Sequence, residues 1–250
     1  ERAEEICYLY VLNLDTGRLT NISDYGLGKI TARFIWDLLG SEIYVMSGND
    51  ALELMKYDFT ITDESQRVTA VEDKEIEEGS MAFYNGDLYF SNPDKDGNGK
   101  IYKIKPEGGM RAEVTTGDSF AISPDGRYMA ILESFEIGGE GDETQNNTSI
   151  KLRSMPTGEE TYLVKNRYVV SMEWGQSGLL YYTEGTDATE EEFGFALYAY
   201  DLNTQMTSKC ADMGSPDFRT TPDPAVLYIP YYYADENTHL RATYRLELRG

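Results

Sequence analysis

Short apolar runs separated by turn residues repeat along the whole chain. Each run is alternating or continuously apolar, is rich in Tyr, Leu, Ile and Val, and follows a Gly, Asp, Asn or Pro turn, which is the pattern of a β-strand. The five copies are SEIYVMSG from Ser41, GDLYFSNP from Gly86, GRYMAILE from Gly126, SGLLYYTE from Ser177 and AVLYIPYY from Ala225. The pattern therefore predicts five strands that recur at a regular interval.

A second unit follows each of these runs and reads as a strand, a turn and a further strand. Its turns, DTG, PEGG and PTG, place Gly where a positive φ or a sharp reversal is needed, so each unit predicts a hairpin. The units recur with a spacing of roughly 47 residues, which is the length of one propeller blade. Their centres lie near Tyr10, Met55, Tyr102, Lys151, Tyr198 and Tyr244, the last copy being truncated.

The repeat predicts the fold class. Helical signals are nearly absent, since the best stretch, 71–81, is short and acidic and lacks an apolar stripe. Four strands per repeat without crossover helices indicate an all-β chain, a β-propeller of about five to six four-stranded antiparallel blades. We expect one propeller domain over 1–250, with blade units at 1–24 (partial), 25–74, 75–116, 117–166, 167–213 and 214–250.

Two arrangements of the chain ends fit the repeat. In the first, which we favour, the N-terminal hairpin from Cys7 to Ile22 closes the ring against the strands near Tyr228 and Tyr244. In the second, the chain is a piece of a longer propeller whose missing strands lie upstream. The first residue is Glu1 and not Met, which indicates a processed or excised sequence.

The charge of the chain excludes one class of partner. There are 44 acidic side chains against 22 basic ones, a formal net charge of −22, and no Lys/Arg cluster offsets it locally. Because such a field repels phosphates, we expect no nucleic-acid partner. No run of about 18 apolar residues is present, so we expect no membrane span within the chain.

Much of the acidic surplus lies in the 71–79 segment and in two insertions, 134–149 and 183–195, each between the second and third strands of its own blade. Repeat scaffolds place variable insertions on binding faces, so these loops predict a surface for a protein or peptide partner, with basic or cationic chemistry favoured. Solvated excursions without a partner are the alternative. The candidate binding residues are Glu136, Glu140, Asp142, Glu143, Asp187, Glu190, Glu191 and Glu192.

The sharpest local motif is DKDGNGKI, whose spacing matches the first part of a calcium loop. Asp94, Asp96 and Asn98 would supply the oxygen ligands, and Ca²⁺ is the one cofactor that the sequence suggests. The match ends at Lys105, where a bidentate Glu would stand, and at Tyr102, where short propeller calcium loops carry a carboxylate. A plain Asp- and Gly-rich hairpin turn is the alternative.

Catalytic constellations are poorly supported, and we expect no enzyme activity. Cys7 and Cys210 form at most one disulfide and otherwise are two semi-buried thiols. His239 is the single histidine, and the strings GDSF at Gly117 and GQSGL at Gly175 lack the surroundings of a serine nucleophile. Twenty tyrosines raise the separate prospect of rings that stack on a sugar or a peptide.

The segment AISPDGRYMAILES, from Ala121 to Ser134, resembles the SPDG strand turn of TolB-like β-propellers, and LYVLNLDTGRLTNIS and LYAYDLNTQ resemble later strands of the same blades. The other turns depart from this motif: DLLGS at Asp37, YNGD at Tyr84, WGQSG at Trp174 and TPDPA at Thr221. The resemblance implies a non-catalytic binding scaffold in an extracytoplasmic bacterial setting. The propeller domain of a prolyl oligopeptidase-type serine peptidase, which gates substrate access, is the first alternative, and a carbohydrate-binding or glycosidase propeller is the second.

Overall fold

The computed structural model describes residues 8–27, 29–137, 145–186, 194–234 and 239–248. These residues form strands and turns, and their helical segments are two short 3-10 turns, Ile22–Tyr25 and Glu64–Gln66. Every sheet is antiparallel, and each strand pairs with its neighbour in sequence. None of the helices in these ranges is long and apolar enough to span a bilayer.

The chain divides into two compact units, and the first is Glu1–Ser119. It begins with a two-stranded hairpin sheet, β1 (Tyr10–Leu12) and β2 (Leu19–Asn21). Two four-stranded sheets follow. Sheet 1 consists of β3 (Lys29–Trp36), β4 (Glu42–Gly48), β5 (Leu52–Asp58) and β6 (Val68–Ile76). Sheet 2 consists of β7 (Met81–Tyr84), β8 (Asp87–Pro93), β9 (Gly99–Ile104) and β10 (Ala112–Thr116).

The second unit is Phe120–Gly250, and its first strand begins at the boundary. Sheet 3 consists of β11 (Ser119–Ile122), β12 (Tyr128–Ile137), β13 (Gln145–Ser154) and β14 (Glu160–Arg167). Sheet 4 consists of β15 (Val169–Trp174), β16 (Leu179–Gly185), β17 (Phe195–Asp201) and β18 (Met206–Met213). Within the described ranges, sheet 5 has three strands, β19 (Arg219–Thr220), β20 (Val226–Ala234) and β21 (His239–Glu247).

The all-β class and the repeated four-stranded antiparallel sheets confirm the sequence prediction, whereas the number of blades stays a prediction. The five apolar runs form β4, β8, β12, β16 and β20, the second strand of each sheet. The first strand of each sheet was not identified separately from the sequence. Those strands are short or mixed in polarity, as in MAFY of β7 and RT of β19, so they carry little periodic signal.

Hydrophobic clusters lie on both faces of these second strands, which explains their continuously apolar sequence. In β4, Ile43 and Val45 join the cluster with the hairpin sheet, while Tyr44 and Met46 join the cluster with sheet 2. In the second unit, Leu180 packs with sheet 3 residues and Tyr181 with sheet 5 residues. Successive side chains of a strand point to opposite faces, so a strand that is covered on both sides is apolar throughout.

The SPDG turn joins β11 to β12 and is held by its own side chains. Gly126 adopts φ +69° and its N–H donates to the Ser123 carbonyl at 2.8 Å, while Asp125 accepts from the Ser123 hydroxyl at 2.7 Å. The departing sequences at Asp37 and Trp174 build the same turn. Gly40 and Gly178 have φ of +70° and +82°, and their N–H groups donate to the residue three positions earlier. All three turns therefore place a glycine at this position, because a side chain at this φ is strained.

Buried side chains tie consecutive sheets together. The Thr148 hydroxyl of β13 donates to the Arg167 carbonyl at 2.8 Å and accepts the Val169 N–H at 2.6 Å, where sheet 4 begins. Asn92 accepts the Glu77 N–H at 2.7 Å in the first unit. We call these contacts sheet-to-sheet pins. They satisfy backbone groups at the junctions between consecutive sheets.

A candidate binding groove

A groove of about 530 Å³ lies in the first unit, between the hairpin sheet and sheet 1. Its volume falls in the range of about 300 to 1,000 Å³ that is usual for ligand sites. One wall is the β1–β2 hairpin, which contributes Leu12 and Arg18. The other wall and the floor come from the ends of β3 and β5 and from the β5–β6 connection, which contribute Trp36, Phe59 and Arg67.

Three aromatic rings form the floor of the groove. Trp36 and Phe59 are stacked with ring centroids 5.5 Å apart and an interplanar angle of 19°, and Phe59 meets Tyr57 edge-on at 4.7 Å. Tyr57 is fully buried, while 41% of Trp36 is exposed. The inner rings therefore fix the position of an indole whose outer part is open to a ligand. A prearranged aromatic surface of this kind binds apolar groups with little ordering cost.

Arg67 is anchored beside the rings. Its Nε donates to the Ile61 carbonyl at 2.6 Å and its Nη1 donates to the Tyr57 hydroxyl at 3.1 Å, and the bond to Tyr57 raises the pKa of the guanidinium. Nη1 also lies 3.6 Å from Glu64. The Tyr25 hydroxyl donates to Glu64 at 3.0 Å, and this bond raises the pKa of Tyr25. The floor thus carries one guanidinium of fixed orientation and one carboxylate that is already bonded.

Arg18 stands on the opposite wall, where a tight turn fixes its backbone. Asn13 Oδ1 accepts the N–H groups of Asp15 and Thr16, and the Asn13 N–H donates to the Arg18 carbonyl at 2.9 Å. No side chain among the described residues bonds or pairs with the Arg18 guanidinium. The groove therefore presents a cation that none of the described residues neutralises.

Exposed leucines lie in the turns that contribute Asn13 and Gly40 to the lining of the groove. Leu12 lines the groove, and Leu14 lies in the turn between β1 and β2. Leu38 and Leu39 lie in the turn between β3 and β4. More than four fifths of the side chains of Leu14, Leu38 and Leu39 is exposed. Single exposed apolar residues are ordinary, but several beside an aromatic groove are typical of an interaction surface.

The predicted calcium loop is the turn between β8 and β9. Asp94 Oδ1 accepts the N–H groups of Asp96 and Asn98, both at 2.9 Å, and these bonds lower the pKa of Asp94. The Asn98 amide also donates to Asp94. The turn is therefore closed by its own hydrogen bonds, as in the hairpin alternative. No group of three acidic, His or Cys side chains arranged for a metal occurs in the described ranges, and calcium binding stays a prediction.

The two acidic insertions are shorter as loops than the sequence suggested. β12 and β13 stay paired as far as Ile137 with Gln145, so Glu136 lies in a strand opposite Asn146. β16 and β17 stay paired as far as Gly185 with Phe195. The prediction that residues 134–137, 145–149 and 183–185 form loops was wrong, because these residues remain paired in antiparallel strands. The other candidates, Glu140, Asp142, Glu143, Asp187, Glu190, Glu191 and Glu192, lie outside the described residues.

The remaining candidate groups concern two cysteines, one histidine and a serine string. Cys210 has a free, half-buried thiol in β18, and burial raises its pKa. Cys7 lies outside the described residues. His239 begins β21 opposite Ala234. The Gly175 string forms the turn between the strands β15 and β16.

The sequence did not identify the groove. Its residues come from separate segments of the first unit, and each segment alone reads as an ordinary strand end or turn. One signal was present: Trp36-Asp37-Leu38-Leu39 places three large apolar residues at a turn, where polar residues are usual.

No protein-family model and no curated protein matches the sequence. Among solved structures, TolB from Acinetobacter baumannii is similar with a TM-score of 0.60 at 13% identity over 94% of this chain. An oligogalacturonate lyase from Vibrio parahaemolyticus gives 0.64 at 13% identity over 97% of this chain and 72% of its own. A putative TolB from Agrobacterium tumefaciens gives 0.55 at 14% identity over 96% of this chain and 84% of its own.

These likenesses concern the fold. They confirm the resemblance to TolB-like propellers that we inferred from the SPDG segment and the repeated units. The chain spans 56% of the length of the Acinetobacter TolB.

Proposed function

We propose that this chain is a non-catalytic scaffold that binds an extended segment of a protein partner in the groove between the hairpin sheet and sheet 1. The observation that carries the proposal is the stacked Trp36–Phe59 pair in a groove whose two contributing turns carry exposed leucines. An apolar side chain of the partner would pack on the indole, and the leucines would cover the residues on either side.

The character of the rim favours a peptide over a sugar. Leu14, Leu38 and Leu39 offer methyl groups and no hydrogen bonds, and they extend the apolar surface beyond the groove itself. A partner that covers them must present apolar side chains of its own, as protein segments do. The likeness to TolB supports a scaffold role in an extracytoplasmic setting, and both remain proposals for this chain.

The test is a selection of random linear peptides on the immobilised protein, followed by affinity measurements on synthetic copies of the selected peptides. Trp36→Ala should weaken their binding by about 2 kcal/mol, or roughly 30-fold, as expected for a central aromatic contact. The matched control is Tyr228→Ala, because Tyr228 is 45% exposed but lies in the second unit.

Three results would contradict the proposal. The selection yields no peptide whose binding depends on Trp36, the Tyr228→Ala variant loses binding to the same extent, or a glycan array gives Trp36-dependent binding where peptides give none. The last result would instead favour a carbohydrate-binding propeller. Thermal unfolding of each variant checks that the affinity loss does not come from unfolding.

A further inference from the structure

The residues that line the groove carry a net positive charge, whereas the chain as a whole is negative. Of the lining residues, Arg18 and Arg67 are cationic and Glu64 is anionic. The whole chain carries twice as many acidic as basic side chains. An excess of positive charge in a groove of such a chain attracts an anionic group to that place and not to the surface around it.

The two guanidiniums differ in what they can still bind. Arg67 already donates through Nε and Nη1, so its Nη2 edge is the part left for a ligand. The Arg18 guanidinium has no hydrogen-bond or ion-pair partner among the described residues, since the bonds of Arg18 are made by its backbone, so the full donor fork is open to a ligand. A planar fork of N–H donors fits a carboxylate, which accepts two parallel hydrogen bonds.

We infer that the groove recognises a protein segment in which a carboxylate stands beside the apolar side chain that packs on Trp36, and that Arg18 receives this carboxylate. The inference rests on the proposed function and adds the chemistry of the partner. The carboxylate is an Asp or Glu side chain or the C-terminus of the partner chain, and all three offer the same two oxygens. Arg67, on the floor, contributes positive potential and its remaining donor edge.

Arg18 is the residue to change. Its side chain is exposed, whereas replacement of Arg67 would also remove the bond to the buried Tyr57 hydroxyl and disturb the aromatic floor. Arg18→Gln removes the charge with little change in size. The matched control is Arg245→Gln, an equal change of net charge at an exposed arginine of the second unit.

The probe is a Trp36-dependent peptide from the selection, synthesised in two forms: with its carboxylate, and with that group replaced by the amide. Asp is replaced by Asn, Glu by Gln, and a free C-terminus by a carboxamide, so the three sources are told apart. The acid form should bind the unchanged protein about tenfold more tightly than the amide form. Arg18→Gln should remove most of this difference, Arg18→Lys should retain a larger part of it, and Arg245→Gln should leave it intact.

The outcomes separate the two proposals. If Trp36-dependent peptides bind equally well in acid and amide forms, or if Arg18→Gln keeps the preference, the carboxylate inference is wrong while the binding groove stands. If no selected peptide depends on Trp36, both proposals fail. Higher salt should weaken the acid form more than the amide form, because screening acts on the ion pair alone.

Discussion

The sheet-to-sheet pin at Thr148 offers a quantitative test of how consecutive sheets are held together. Thr148 is 6% exposed and Val169, whose N–H it accepts, is 2% exposed. Thr148→Val keeps the size of the side chain but removes the hydroxyl. The variant therefore leaves the Val169 N–H without its acceptor, and no cavity is formed.

An unsatisfied buried backbone donor costs about 1–3 kcal/mol, so we expect Thr148→Val to lower the free energy of unfolding by about 2 kcal/mol. Thr148→Ser is the matched control, because it keeps the hydroxyl and loses one methyl group, which costs about 0.8 kcal/mol. The order of stability should be the unchanged protein, then Thr148→Ser, then Thr148→Val.

Urea denaturation followed by tryptophan emission measures the effect, since Trp174 lies in the same unit and is 6% exposed. With a slope of about 2 kcal/mol per molar urea, the Thr148→Val midpoint should fall by about 1 M. A Thr148→Val midpoint equal to or above that of Thr148→Ser would refute the reasoning, because burial of an extra apolar group would then outweigh the lost hydrogen bonds.

Three further predictions concern a turn, a metal and a thiol. Gly158 and Gln205 occupy the same place in equivalent turns, with φ of +75° and +57°. Gly158→Ala should therefore lower the free energy of unfolding of the protein, and Gln205→Gly should raise it, each by about 1 kcal/mol. Urea midpoints of the two variants that move in the same direction would contradict this. If the turn from Asp94 to Asn98 binds calcium, calorimetric titration of Ca²⁺ into metal-stripped protein gives heat that Asp94→Asn abolishes, whereas the hairpin alternative predicts no heat at millimolar metal. Burial raises the pKa of the Cys210 thiol by disfavouring the thiolate. In a Cys7→Ser variant, alkylation of Cys210 should therefore be slower than that of the urea-unfolded chain at pH 8 and should accelerate as pH rises, and equal rates would show that the thiol is not protected.

The repeat made the fold readable from sequence, because each second strand is buried on both faces and so is apolar at every position. Tyr44 and Val45 illustrate this, since they are adjacent in sequence and belong to different clusters. The first strands were harder to find because two to eight residues of mixed polarity have no clear period. The turns were predictable from their glycines even where the sequence differs from SPDG, as Gly40 and Gly178 show.

The groove was not predictable in the same way. Arg67 is anchored by a carbonyl and a hydroxyl that only the folded β5–β6 connection brings to it, and Arg18 reaches the same groove from the hairpin sheet. Such a site depends on the distances between segments, which composition and periodicity do not contain. In the acidic insertions, the polar sequence predicted a loop, but Glu136 continues a strand.

The most direct test of the binding groove uses the two tryptophans of the chain. Protein labelled with 5-fluorotryptophan should give two fluorine resonances, one from the half-exposed Trp36 in the groove and one from Trp174, which is buried in the second unit and donates to the Ala121 carbonyl. On titration with a selected peptide, we predict that the Trp36 resonance shifts to saturation while the Trp174 resonance stays in place. Saturable peptide binding that leaves the Trp36 resonance unmoved would contradict the account.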